Sequence, residues 1–133
     1  MFLIDTNICI YIMNEHPPEV IQSFREIGIG NICISSITVS ELQYGVWKSK
    51  QIQKNIRRLD EFLSPFEILA YDEKAANYYG RIRSLLEKQG NVIGPLDMLI
   101  AAHALSVDLT LITNNEKEFK RVKSLKIKNW VPT

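Results

Sequence analysis

Apolar and polar positions fall into blocks that read in turn as strands and helices. Phe2-Leu3-Ile4 is a short apolar run closed by an acid, which suits a buried strand. Asn7 to Asn14 has a helical pattern, and Pro17-Pro18 interrupts it because proline removes a backbone donor. Val20, Phe24 and Ile27 give Glu19 to Ile27 a helical period, with Gly28 or Gly30 as the stop. Ile32-Cys33-Ile34-Ser35 predicts a second strand. The spacing then predicts helices over Val39 to Lys50 and Gln51 to Leu63, the latter with Ile52, Ile56, Leu59 and Leu63 on one face.

After Pro65, Phe66 to Leu69 suits a strand, and Asp72 caps a long helix running to Gly90. Pro95 opens a helix from about Leu96 to Ser106. Leu109 to Thr113 is the most strand-like run, followed by a short helix over Glu116 to Val122 and a last strand over Lys126 to Trp130. Strands alternating with helices imply an α/β layer fold with a mainly parallel sheet.

Length makes this one domain over residues 1–133, since two cores would leave each half short of apolar surface. No apolar run approaches the roughly 20 residues that span a bilayer, so no membrane role is expected. Met1-Phe2-Leu3-Ile4-Asp5 lacks a basic stretch, so no signal peptide is expected. Cys9 and Cys33 lie in apolar runs without metal-type pairing; buried free thiols and a reducing cytoplasm follow. A formal charge of +1 excludes a uniformly basic nucleic-acid binder, although a balanced total can hide local segregation.

Three acids stand where acids are costly. Asp5 ends the first apolar run, Glu41 is the sole charge between Glu26 and Lys48, and Asp97 sits inside Val92 to Ala102. Burying an ionised carboxylate costs several kcal/mol unless it is paired, capped or metal-bound. Asp5 falls at the carboxyl end of a strand, where open α/β sheets bind ligands. Glu41 and Asp97 fall in the first turns of predicted helices, where the helix dipole favours negative charge. Simple capping accounts for each acid alone. For all three at one sheet edge, a metal site is the better explanation.

Hard divalent cations such as Mg²⁺ or Mn²⁺ choose oxygen ligands, activate water and neutralise charge on a phosphoryl oxygen. Clustered carboxylates without His or Cys therefore favour metal-assisted phosphodiester chemistry. The histidines offer no rival: His16 precedes a Pro-Pro turn, and His103 lies on a different helix face from Asp97. No metalloprotease, nucleophile-elbow or phosphate-loop motif is present.

Four segments carry a family resemblance. Leu3-Ile4-Asp5-Thr6-Asn7, Ile34 to Leu42 with Gly45, Gly94 to Ala104, and Leu111 to Phe119 resemble the motifs of PIN-domain ribonucleases, especially VapC toxins. Asn129-Trp130 resembles their usual ending. The resemblance implies a PIN-like three-layer sandwich with about five mainly parallel strands flanked by helices. It implies Mg²⁺-dependent endonucleolytic RNA cleavage, with Mn²⁺ as a substitute, leaving a 5′-phosphate and a 3′-hydroxyl. Asp5, Glu41 and Asp97 would be the acidic metal-site residues. Asp5 and Asp97 would be direct ligands, and Glu41 would bind through water or position the nucleophile. The family also implies a homodimer and an antitoxin partner whose segment covers the active site.

The chain departs from the family at Asn115, where many members carry Asp, with Glu118 three residues on. Either Glu118 supplies the fourth acid or the site works with three. Thr6, Asn7, Thr113 and Asn115 are polar neighbours suited to orienting carboxylates or water, or to capping and turns. Asn115 also keeps open a non-cleaving PIN-like module that holds RNA or a protein.

Charge is segregated. Lys48, Lys50, Lys54, Arg57 and Arg58 form one basic run, and Lys117, Lys120, Arg121, Lys123, Lys126 and Lys128 crowd the C-terminus. Both are candidates for RNA phosphate contacts, with Arg81 and Arg83 weaker ones. Tyr44 and Trp47 suit base stacking or, more commonly, packing.

Overall fold

A computed structural model describes residues 1–132. Its centre is a five-stranded sheet in the order β3-β2-β1-β4-β5, built from β1 (Phe2–Ile4), β2 (Ile32–Ser35), β3 (Glu67–Leu69), β4 (Thr110–Ile112) and β5 (Ile127–Lys128). Every neighbouring pair is parallel, with Phe2 opposite Ile32 on one side and Thr110 on the other. Strands this short need cover on both faces, and the connections supply it.

The helices are α1 (Thr6–Met13), α2 (Pro18–Ile27), α3 (Ser36–Trp47), α4 (Ile52–Leu63), α5 (Glu73–Lys88), α6 (Pro95–Val107) and α7 (Glu116–Phe119). Alternation along the strands divides the interior. Leu3, Cys33 and Leu111 face a core with Ile82 and Leu86 of α5 and Met98 and Ala101 of α6. Ile4, Ile32, Ile34 and Ile112 face the opposite core, with residues of α1 to α4. This is the expected three-layer arrangement. Cys9 and Cys33 are buried free thiols, as expected, and His16 is exposed.

Local chemistry sets the helix limits. Asp72 caps α5 by accepting from the Ala75 N–H at 3.0 Å, as its position predicts. Gly28 closes α2 with φ at 85°, a conformation that favours glycine. Some boundaries differ from the sequence expectation: α7 ends at Phe119 rather than Val122, β5 spans only Ile127–Lys128, and α3 begins at Ser36, not Val39, because Ser35 caps it by accepting from the Ile37 N–H at 3.0 Å. Glu41 therefore lies in the second turn, beyond the strongest reach of the helix N-terminus, and the first-turn reading is corrected. A 3₁₀ turn at Ile29–Asn31 also precedes β2. No described helix is long and apolar enough to cross a membrane.

Candidate active site

The strand order places a crevice above β1. The chain leaves β1 toward β2 on one side, while β4 lies on its other side, so the carboxyl end of β1 is the point where the order reverses. Asp5 stands there. Its backbone N–H donates to the Ile112 carbonyl at 3.1 Å, and its side chain caps α1 by accepting from the Ile8 N–H at 3.0 Å. The cap and the candidate ligand are thus one residue. Burial raises the Asp5 pKa, the charge of Glu41 adds to this, and the Thr113 hydroxyl with the Ile8 and Asn7 N–H groups works against it.

Two hydrogen-bonded sets hold the other acids. Thr6, the first residue of α1, donates its hydroxyl to Glu41 Oε1 at 2.7 Å. Asn115 donates from Nδ2 to Asp97 Oδ2 at 3.2 Å and to Glu118 Oε2 at 2.9 Å. The Asn115 backbone N–H donates to the Thr113 hydroxyl at 2.9 Å, which shapes the turn after β4. Thr6, Thr113 and Asn115 thus touch or support the acids, whereas the exposed Asn7 adds only its backbone N–H toward Asp5. Asn129 braces this end by donating to Asn114 at 3.2 Å and Glu116 at 3.1 Å.

Electrostatics joins the two sets. The Asp97 pKa is raised to about 6, first by burial, then by hydrogen bonding with Glu118 and by the charges of Glu118, Asp5 and Glu41. Among the described residues, no Lys or Arg forms an ion pair with any of these four carboxylates; the ion pairs present are Arg83–Glu87 and Lys126–Asp108. An all-oxygen set carrying unbalanced negative charge suits a hard divalent cation. Among the described residues there is no preformed cluster of three or more metal-ligating side chains, and Asp5, Glu41 and Asp97 each have their own hydrogen-bond anchor. Mg²⁺ commonly keeps several waters and uses only one or two carboxylates, so the donor set fits it without a closed cage.

The basic runs divide by their contacts. Lys48, Lys50, Lys54 and Arg57 are exposed, with Lys48 Nζ 4.9 Å from the Tyr44 ring centroid. Arg58 instead holds α4 to the end of α1, donating to the Met13 carbonyl and the Asn14 side chain. A groove of about 230 Å³ brings Arg58 and Asn55 alongside Glu41. Lys117 and Lys120 are exposed beside Glu118, whereas Arg121 donates to the Val92 carbonyl at 3.0 Å. Arg83 is engaged by Tyr79 and Glu87. Tyr44 and Trp47 are 67% and 62% exposed, so the packing expected of them is not met within this chain.

Sequence reasoning missed the buried polar residues behind the site. His103 Nδ1 lies 2.7 Å from Ser35 Oγ, and burial lowers the His103 pKa against the opposing charge of Asp72. Thr38 is fully buried and its hydroxyl has no hydrogen-bond partner among the described residues. The signal that exposed the acids, a polar residue in an apolar stretch, also marks Ser35, Thr38 and His103.

Comparisons with known proteins agree with this architecture. The PIN domain family matches residues 2–125. Ribonuclease VapC2 of Rickettsia felis is 47% identical over 131 residues, covering 98% of both chains. The tRNA(fMet)-specific endonuclease VapC of Shigella flexneri is 42% identical over 129 residues, covering 97% of both. Among solved structures, VapBC2 from Rickettsia felis bound to a promoter DNA fragment has a TM-score of 0.90 at 45% identity, covering 98% of both chains. DNA-bound VapBC from Salmonella typhimurium has a TM-score of 0.92 at 39% identity, with the same coverage. With the four motifs in order, the parallel sheet and these relatives in agreement, the chain belongs to the PIN-domain family, in its VapC ribonuclease branch.

Proposed function

We propose that this chain is the toxin of a toxin–antitoxin pair, an endoribonuclease that hydrolyses RNA phosphodiester bonds with Mg²⁺, for which Mn²⁺ substitutes. The observation that carries this reading is that Asp97 feels the charges of Glu118, Asp5 and Glu41 near the strand-order reversal, while none of these carboxylates has an ion-pair partner among the described residues. Burial raises the pKa of Asp5 and Asp97, and a bound cation would offset the cost of keeping them ionised. The names of the relatives, ribonuclease VapC2 and tRNA(fMet)-specific endonuclease VapC, support RNA as the substrate.

Asp5 and Asp97 are assigned as direct ligands, with Glu41 acting through water or orienting the attacking water, and Glu118 completing the site. When bound, the ion lowers the pKa of water and offsets the charge developing on the phosphoryl oxygens. The chain's own residues supply position. Thr6 fixes one oxygen of Glu41, and the Asn115 amide holds Asp97 and Glu118 facing one nitrogen. In the reaction, water adds to phosphorus, the bond to the 3′ oxygen breaks, and a proton ends on that oxygen. The products are a 5′-phosphate and a 3′-hydroxyl.

The likeness to VapBC complexes supports an antitoxin partner, and the family resemblance adds a homodimer to the proposal. The exposed Tyr44 and Trp47 supply apolar surface for one such contact. The two buried free cysteines fit a reducing cytoplasm. Pulse expression followed by mapping of new RNA ends tests the reading. New 5′-phosphate ends that vanish with Asp97→Asn are expected; 5′-hydroxyl ends would reject the chemistry.

A further inference from the structure

A second basic surface lies apart from the acids. A trough of about 650 Å³ runs along one face of α5, carrying Lys74, Tyr78, Arg81 and Leu85, against Arg121 and Lys123 after α7. None of Asp5, Glu41, Asp97 or Glu118 lines it. Its single lining acid, Asp108, is engaged by Lys126 at 3.4 Å. Four cations therefore face the trough with little to balance them. Arg81 stacks over the Tyr78 ring, its Cζ 5.4 Å from the centroid, and Leu85 leaves apolar surface open at 43% exposure.

We propose that this trough is an RNA-binding exosite, gripping the phosphate backbone of the substrate away from the bond that is cut. The inference rests on the ribonuclease reading for the identity of the ligand. Cations facing an open trough match a polyanion, and a ring with a guanidinium stacked on it offers a base-sized platform. The trough also adjoins the acids through the chain. Arg121 follows Glu118 by three residues and is tied to the Val92 carbonyl, just before the segment that carries Asp97.

The test measures binding of a single-stranded RNA oligonucleotide by fluorescence anisotropy in EDTA, across a salt series. Wild type is compared with the double variant Arg81→Ala and Lys123→Ala. Both side chains are exposed, so the fold should persist, and thermal melting checks this. The expected result is about 10-fold weaker binding and a log–log salt slope smaller by about 1–2. Unchanged affinity and slope would overturn the exosite. A changed oligomeric mass with an unchanged RNA slope would also overturn it, making the trough an interface between copies of the chain. Because binding is read without cleavage, a wild-type protein that binds with the full slope but never cuts would reject the ribonuclease reading alone. One that cuts, while the double variant keeps the wild-type slope, would reject the exosite alone.

Discussion

Thr6 donates its hydroxyl to Glu41 at 2.7 Å across 35 positions of sequence, tying the first turn of α1 to the second turn of α3. The bond makes the residue after Asp5 a positioning residue for the next acid. Thr6→Val removes the donor at similar volume, and cleavage at limiting Mg²⁺ should fall about 10-fold, the scale on which loss of an outer hydrogen bond weakens a metal site. Thr6→Ser keeps the hydroxyl and should stay near wild type. A loss in Thr6→Ser with Thr6→Val near wild type would mean that the methyl group, not the hydroxyl, matters.

Asn115 poses the question of the fourth acid. Its amide holds both Asp97 and Glu118, so it organises charge without adding any. Glu118→Gln should therefore cost more activity than Asn115→Ala, about 10-fold against a few-fold, in matched kinetics. The reverse order would make Asn115 the essential partner of Asp97.

The raised pKa of Asp97 has a consequence for stability. The folded group holds its proton up to about 6 and the unfolded group only to about 3.8, so folded protein binds more protons between those values. That stability is fully present below the unfolded value and is lost as pH rises through about 6. In EDTA, Asp97→Asn should melt a few degrees higher than wild type at pH 7 and vary less between pH 4 and pH 6.5. Thermal melts across pH check this; a lower melting temperature for the variant at pH 7 would contradict it. Adding Mg²⁺ should raise wild type more than the variant.

Ser35 serves two elements at once. Its hydroxyl caps α3 and meets His103 inside the protein. Ser35→Ala should cost about 1–3 kcal/mol in chemical denaturation, from the lost cap and an unsatisfied buried ring nitrogen. His103, with its pKa lowered, has the opposite pH sign to Asp97: its neutral form suits the fold, and stability is lost as pH falls below its unfolded value. His103→Gln should reduce that acid-side loss.

The strands and most helices could be read because their signals are local: apolar runs, Asp72 as a cap, proline at the start of α6. The start of α3 could not. Ile37-Thr38-Val39 is β-branched and disfavours helix, yet the Ser35 cap and burial of Thr38 and Leu42 override propensity. The acids stood out by context, since an isolated charge in apolar sequence is costly wherever the fold puts it. Their supports did not. Thr6–Glu41, Ser35–His103 and Asn115–Asp97 join residues 35, 68 and 18 positions apart, and no local pattern encodes such meetings. Nor did the basic run disclose that Arg58 is held by Met13 and Asn14.

Assigning Asp5 and Asp97 as the ion's ligands makes both carboxylates necessary for RNA cleavage. The most direct measurement is RNA cleavage by purified wild type, Asp5→Ala and Asp97→Asn, each with Mg²⁺ and with EDTA, folding being followed by circular dichroism. Cleavage by wild type in Mg²⁺ alone, with both folded variants reduced at least about 100-fold, is the expected result. Cleavage that persists in EDTA, or a folded Asp97→Asn protein with full activity, would contradict that assignment.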